Sequence, residues 1–136
     1  NYLKAVEAIS LSEENQFYLE QFKGMMRNSW ARNVKGMKTM ADLLAGIGRE
    51  RQKRFLAYCQ HLIRENFIYR LQASEMTYMN YEETGFSVKF SPFVNERNVF
   101  DIMDQLDLAA RHIEQNVNAK MVFFDLSLQL TVLIKR

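Results

Sequence analysis

Asn98-Val-Phe-Asp-Ile-Met-Asp-Gln-Leu-Asp-Leu-Ala-Ala-Arg-His-Ile-Glu-Gln115 is followed by the polar break Asn116-Val-Asn118 and then by an apolar run from Met121 to Ile134. In the first part Val99, Ile102, Met103, Leu106, Ala109, Ala110 and Ile113 recur at three- and four-residue steps. That spacing predicts an amphipathic helix with one apolar stripe. The apolar run is ambiguous. Leu126, Leu128, Leu130 and Val132 alternate with Ser127, Gln129 and Thr131, the period of a half-buried strand. Wound as a helix, the same residues place Met121, Phe124, Leu128 and Val132 on one face and Val122, Leu126, Leu130 and Leu133 on a neighbouring one. A helix apolar on two faces has to be surrounded by others. Periodicity alone leaves both readings open.

Working outward, 136 residues are enough for a single domain with a real core and no disulfide or structural metal. With 48% hydrophobic and 25% charged residues, five Gly and one Pro, the composition is that of a folded, helix-rich domain. No uncharged apolar run is long enough to span a membrane, and the start Asn1-Tyr-Leu-Lys4 has no signal-peptide layout. It also lacks an initiating methionine, from which we expect a piece cut from a longer chain. The one cysteine, Cys59, has no internal disulfide partner, which fits a reducing cytoplasm.

Ahead of the quoted stretch, Leu3, Val6 and Ile9 suggest a short helix or the end of a preceding one, and Ser10-x-x-Glu13 reads as a capping box that starts a new helix near Leu11. Tyr18, Phe22, Met25, Met26, Ser29 and Trp30 carry that helix to about Arg32. A break at residues 33–36 precedes a short helix through Met37, Met40, Ala41, Leu44 and Ile47, stopped by Gly46 and Gly48. Arg49 opens what spacing predicts as the longest helix, with Phe55, Leu56, Cys59, Leu62, Ile63, Asn66, Phe67 and Leu71 on its apolar side and Glu50 and Arg54 placed to pair. Phe86, Val88 and Phe90, before Pro92, suggest an extended connection, with a short strand as the alternative. Asn95 or Asn98 is expected to cap the next helix and Asn118 the last.

Chemical motifs are sparse. Gly36-Met-Lys38-Thr39 lacks the glycine a P-loop places before its lysine, and Gly46-Ile-Gly48 has neither the third glycine nor the preceding strand of a dinucleotide fingerprint. His61 and Glu65 share a helix face, but two ligands do not make a metal site, and a surface pair is the expected role. His112 beside Ile113 suits a partly buried structural histidine, and Cys59 a small core residue. Asp101, Asp104 and Asp107 suit a solvated face near a helix N-terminus. We therefore expect no catalytic, cofactor or metal site and no enzymatic activity in this segment.

Net charge is only +2, yet from Lys23 to Arg54 nine Lys or Arg stand against Asp42 and Glu50. No helix-turn-helix, zinc-finger or RNA-binding signature accompanies them. Nonspecific phosphate contact by Lys35, Lys38, Arg49, Arg51, Lys53 and Arg54, as in a helical nucleic-acid-binding module, is the alternative to a solvated face.

Gly48-Arg-Glu-Arg-Gln-Lys53-Arg-Phe-Leu-Ala-Tyr58, Phe90-Ser-Pro-Phe93 and Ala110-Arg-His-Ile-Glu-Gln-Asn116-Val-Asn118-Ala-Lys120-Met-Val-Phe-Phe-Asp-Leu126 together resemble the C-terminal region of bacterial DNA polymerase III delta-prime subunits. The resemblance covers most of the chain from about Asn33. It implies an all-α fold for residues 1–136, a single helical-bundle domain of about five to six helices like the clamp-loader C-terminal collar, with Lys120 to Ile134 helical. It further implies a missing N-terminal ATPase-type module of the AAA+ family, a cytoplasmic role in DNA replication, and the other clamp-loader subunits as partners in a ring. The parent subunit would belong to the polymerase III holoenzyme, while this fragment would serve oligomerisation and need no cofactor. Trp30, Met121, Phe124 and Leu128 are then the expected core or subunit-interface residues. The basic segment matches no motif of that family.

Overall fold

The computed structural model describes residues 2–71 and 93–135, and these form five helices with no strand among them. The first helix, α1, is Tyr2–Ala31, 30 residues long. It runs straight through Ser10-x-x-Glu13, so that pattern starts no helix. A capping serine acts only where its own backbone leaves the helical region. With no Gly or Pro between Tyr2 and Lys23 to force such a departure, the helix continues.

The turn after α1 satisfies the carbonyls that a helix end leaves open. Arg32 takes φ 55°, its N–H donates to the Ser29 carbonyl at 3.3 Å, and the Asn33 N–H donates to that of Asn28 at 2.9 Å. This is the Schellman arrangement with arginine where glycine is usual. The Asn33 side chain then accepts from the Gly36 N–H at 3.0 Å and caps α2, Val34–Ala45. Gly46 ends α2, whose last carbonyls receive the buried Gln52 amide at 2.9 Å (Leu44) and 3.3 Å (Ala45). Gln52 belongs to α3, Arg49–Leu71, of 23 residues, which is shorter than α1 because the break expected near Ser10 is not there. The expected extended connection through Phe86, Val88, Phe90 and Pro92 lies outside the described residues.

Asn98 precedes α4, Val99–Glu114, at the capping position. Its side chain makes no cap bond and faces inward instead. Fully buried, its amide N–H groups donate to the Phe93 carbonyl at 2.8 Å and the Leu133 carbonyl at 3.0 Å, while its oxygen accepts from the Asn95 N–H at 2.9 Å. A second Schellman turn, with Asn116 at φ 63° and the Val117 N–H on the His112 carbonyl at 2.9 Å, leads to Asn118. Asn118 caps α5, Ala119–Leu133, by accepting from the Met121 N–H at 3.2 Å.

The apolar run is thus a helix, and the origin of its false strand period is visible. Leu126 and Leu130, one turn apart, are buried, whereas Leu128 and Val132, also one turn apart, are exposed on the other side. Two helical pairs on opposite faces interleave to give every-second-residue spacing. Inward, Val122, Phe123, Leu126, Leu130 and Leu133 meet α1, α2 and α4, which all pack on α5, while α3 packs against α4 and α1. Phe55 lies 5.8 Å from Tyr18 and 6.0 Å from Phe123, joining three helices through their rings. Each such fully buried large side chain contributes about 1.5–3 kcal/mol, so the interior is a main source of the bundle's stability.

Candidate assembly surface

α5 is enclosed by three helices on its inner side, and its remaining side faces solvent. There Met121 is 68% exposed, Val132 65% and Leu128 38%, with Phe124 half-buried at the margin. These residues follow one another at three- and four-residue steps, interrupted by Asp125 and Gln129. Met121, Leu128 and Val132 are outside the buried interior, whereas Phe124, partly buried, packs against it.

Trp30 extends this surface from α1. The buried Ser29 hydroxyl donates to the Ser127 carbonyl at 3.1 Å, which fixes the end of α1 against the middle of α5. Trp30 and Leu128 are the next residues along from that bond. The indole is 49% exposed, packs on Phe93 with ring centres 4.8 Å apart and is covered by the Lys135 ammonium 5.0 Å from its centre. At the other end of α5, Lys120 pairs with Asp42 of α2 at 2.8 Å. A patch of large apolar side chains bounded by charges in this way has the composition of an interaction surface.

The six basic residues singled out from the sequence divide into two groups. Lys53 bridges Glu50 at 3.3 Å and Glu114 of α4 at 3.0 Å, and these carboxylates, Glu114 first, raise its ammonium pKa. Glu50 therefore pairs with Lys53 and not with Arg54 as its four-residue spacing suggested. Arg54 reaches across to α1 instead, its Nε 2.6 Å from Glu14. Glu14 also accepts from the Tyr18 hydroxyl, and these two bonds, Tyr18 first, hold its carboxyl below the ordinary range. Burial and the Glu14 partner push the Tyr18 phenol up to about 12. The other group, Lys35 and Lys38 on α2 and Arg49 and Arg51 on α3, is exposed and makes no ion pair with a described residue. An unbroken basic track of six is not formed, since Lys53 and Arg54 staple α3 to its neighbours.

Of the other singled-out residues, Glu65 is buried, so His61 and Glu65 are not the surface pair expected. His61 is half-buried, its ring 6.4 Å from that of Tyr58. His112 is half-buried as expected, and Asp101, Asp104 and Asp107 lie on the exposed side of α4, with Asp107 accepting from the Gln60 amide at 2.6 Å. Cys59 is wholly buried, which raises its thiol pKa well above the ordinary value. Burial therefore disfavours the thiolate, the reactive form of the group. Among the described residues no group of three or more His, Cys, Asp or Glu is gathered to hold a metal, and no helix is long and apolar enough to cross a membrane.

Sequence reasoning missed Asn98 as an interior clip and Phe100 as an exposed aromatic. Phe100 was legible: it falls off the Val99, Ile102, Leu106 stripe and is 75% exposed. Comparison with family models, curated proteins and solved structures finds no match for this chain.

Proposed function

We propose that this chain is an assembly domain, the C-terminal collar of a DNA polymerase III clamp-loader subunit of the delta-prime type. In that role it holds a ring of subunits together while their ATPase-type modules place the sliding clamp on DNA during replication in the cytoplasm. The observation that carries this reading is the outer face of α5, where Met121, Leu128 and Val132 are exposed on a helix otherwise enclosed by its own domain. Each large apolar side chain taken out of water in a subunit contact contributes about 1.5–3 kcal/mol before the cost of association. The all-helical fold, and the motifs from Gly48 to Leu126 that resemble the delta-prime collar, support the same reading.

In this role the segment performs no chemistry, binds no cofactor and acts through contact alone. The test is co-elution of the chain with the remaining loader subunits, before and after Met121→Glu and Leu128→Glu. Joint elution of the wild-type chain, lost in the double variant while its helical content is kept, is expected. Absence of joint elution with all partners supplied rules the reading out.

A further inference from the structure

We infer that the outer face of α5 receives an apolar helix face of a different chain, one that carries an arginine in the middle of its apolar stripe, and that Asp125 meets this arginine. The inference rests on the reading of that face as an assembly surface and names the chemistry of what covers it.

Met121, Asp125, Leu128 and Val132 advance along α5 by four, three and four residues, so the carboxylate lies within the apolar stripe and not beside it. Asp125 is exposed and makes no ion pair with a described residue. Lys120 is the only other charged residue of α5, and its ammonium is held by Asp42 of α2 at 2.8 Å. Beyond the other end of the helix, the Lys135 ammonium stands over the Trp30 ring, 5.0 Å from its centre. Both end cations are thus engaged, and the carboxylate between them is open to solvent.

A partner that takes Met121, Leu128 and Val132 out of water takes Asp125 with them. A carboxylate buried in such a contact without a cation offsets the gain from its apolar neighbours. The covering surface therefore has to supply a cation at this position. Arginine suits it better than lysine, because a guanidinium is more weakly hydrated and grips a carboxylate by two parallel hydrogen bonds. A partner helix fits the stripe, about 16 Å long from Met121 to Val132, by laying one ridge of its own side chains alongside. A second copy of this chain does not fit. A face that pairs with itself in a two-fold contact brings two Asp125 carboxylates into one apolar patch, and the stripe holds no cation to meet them.

The test is titration of the 136-residue chain, followed by the fluorescence of Trp30, its one tryptophan. The probes are three synthetic, tryptophan-free helices that share a leucine stripe and differ at its middle, where they carry Arg, Leu or Glu. The Arg helix is expected to bind about tenfold tighter than the Leu helix and about a hundredfold tighter than the Glu helix. Asp125→Leu should reverse the first preference, because the arginine is then left buried and unpaired, and Asp125→Lys should make the Glu helix the tightest of the three. Leu128→Ala leaves the charge unchanged and should weaken the Arg helix about fivefold or more. Asp125 and Leu128 are both exposed, and circular dichroism of each variant checks that the fold is kept. Equal affinity for the three helices, tightest binding of the Leu helix by the wild-type chain, or an Arg preference that survives Asp125→Leu would each overturn the inference. So would absence of Arg-helix binding up to about 1 mM, or self-association of the chain that Leu128→Ala abolishes. Co-elution with the clamp-loader subunits tests the proposed function separately: its failure leaves the arginine preference standing, and a lost arginine preference leaves co-elution standing.

Discussion

Removing the Asn98 side chain should cost this small bundle a large fraction of its stability. The carboxamide is fully buried and makes three hydrogen bonds, two as donor to the Phe93 and Leu133 carbonyls and one as acceptor from the Asn95 N–H. The Leu133 carbonyl belongs to the last turn of α5, which has no intrahelical donor. Each bond contributes roughly 1 kcal/mol net, and stranding a buried partner raises that toward 1–3 kcal/mol, so Asn98→Ala should lose about 3 kcal/mol. A chain of this length has about 5–15 kcal/mol in all.

Urea unfolding followed by circular dichroism measures the loss directly, as a fall of about 1–3 M in midpoint at unchanged slope. Trp30 fluorescence reports the same site, since its ring rests on Phe93. Asn98→Asp adds a sharper criterion. It keeps an acceptor for Asn95 but turns a carboxylate oxygen toward two carbonyl oxygens, so at neutral pH it should be at least as damaging as alanine. The folded-state pKa of that carboxyl is then raised, so the aspartate variant should gain on the alanine variant as pH falls and the acid becomes a donor. A loss under about 1 kcal/mol, or an aspartate variant milder than alanine at neutral pH, refutes the assignment of Asn98 as the clip between α5 and the start of α4.

Four further outcomes follow from the same geometry. The folded pKa of Glu14 is depressed by Tyr18 and Arg54, so its contribution is present above the ordinary carboxylate pKa and lost as pH falls through the folded value; the stability gap between wild type and Glu14→Gln should therefore close on acidification. Tyr18 has the opposite sign: with its phenol raised to about 12, stability should fall as pH rises from its ordinary value of 10.0, and Tyr18→Phe should remove that part of the alkaline loss. Arg32→Gly should stabilise the chain by about 0.5–1 kcal/mol, because φ 55° costs a side-chain-bearing residue more than it costs glycine, a gain read as a raised urea midpoint. Cys59 should resist a thiol reagent in the native state and react at a rate set by opening of the fold; rapid labelling of the folded chain would contradict its burial.

How much of this was legible in the sequence varied with how local the cause was. The α4 stripe, the Asn118 cap and the stops near Arg32 and at Gly46 were all readable, because each rests on a few adjacent residues, whereas the break expected over residues 33–36 is only the turn at Arg32 and Asn33, since Asn33 already caps a helix that starts at Val34. The reach of α1 was misread at Ser10, where a local capping pattern lost to an uninterrupted run of helix-compatible residues. For α5 the composition announced two apolar faces, but which one is inner depends on α1, α2 and α4, and no short window contains them. The same limit applies to Lys53 and Arg54. Their neighbours in sequence suggested a basic track or a Glu50 pair, while Glu14 and Glu114, far along the chain, decide where the charges go. Asn98 was recognised as a helix-start residue, yet its inward use depends on the Leu133 carbonyl, 35 residues away.

The exposed apolar face of α5 is the centre of this account, and methyl-resolved NMR addresses it most directly. With the clamp-loader subunits of the proposed assembly added to chain labelled at its methionine methyls and tryptophan indole, the Met121 methyl and the Trp30 indole N–H should shift or broaden. The Met37 methyl, buried on α2, should stay in place. Unchanged Met121 and Trp30 signals in the presence of the full set of partners would contradict the assignment of this face as the surface of assembly.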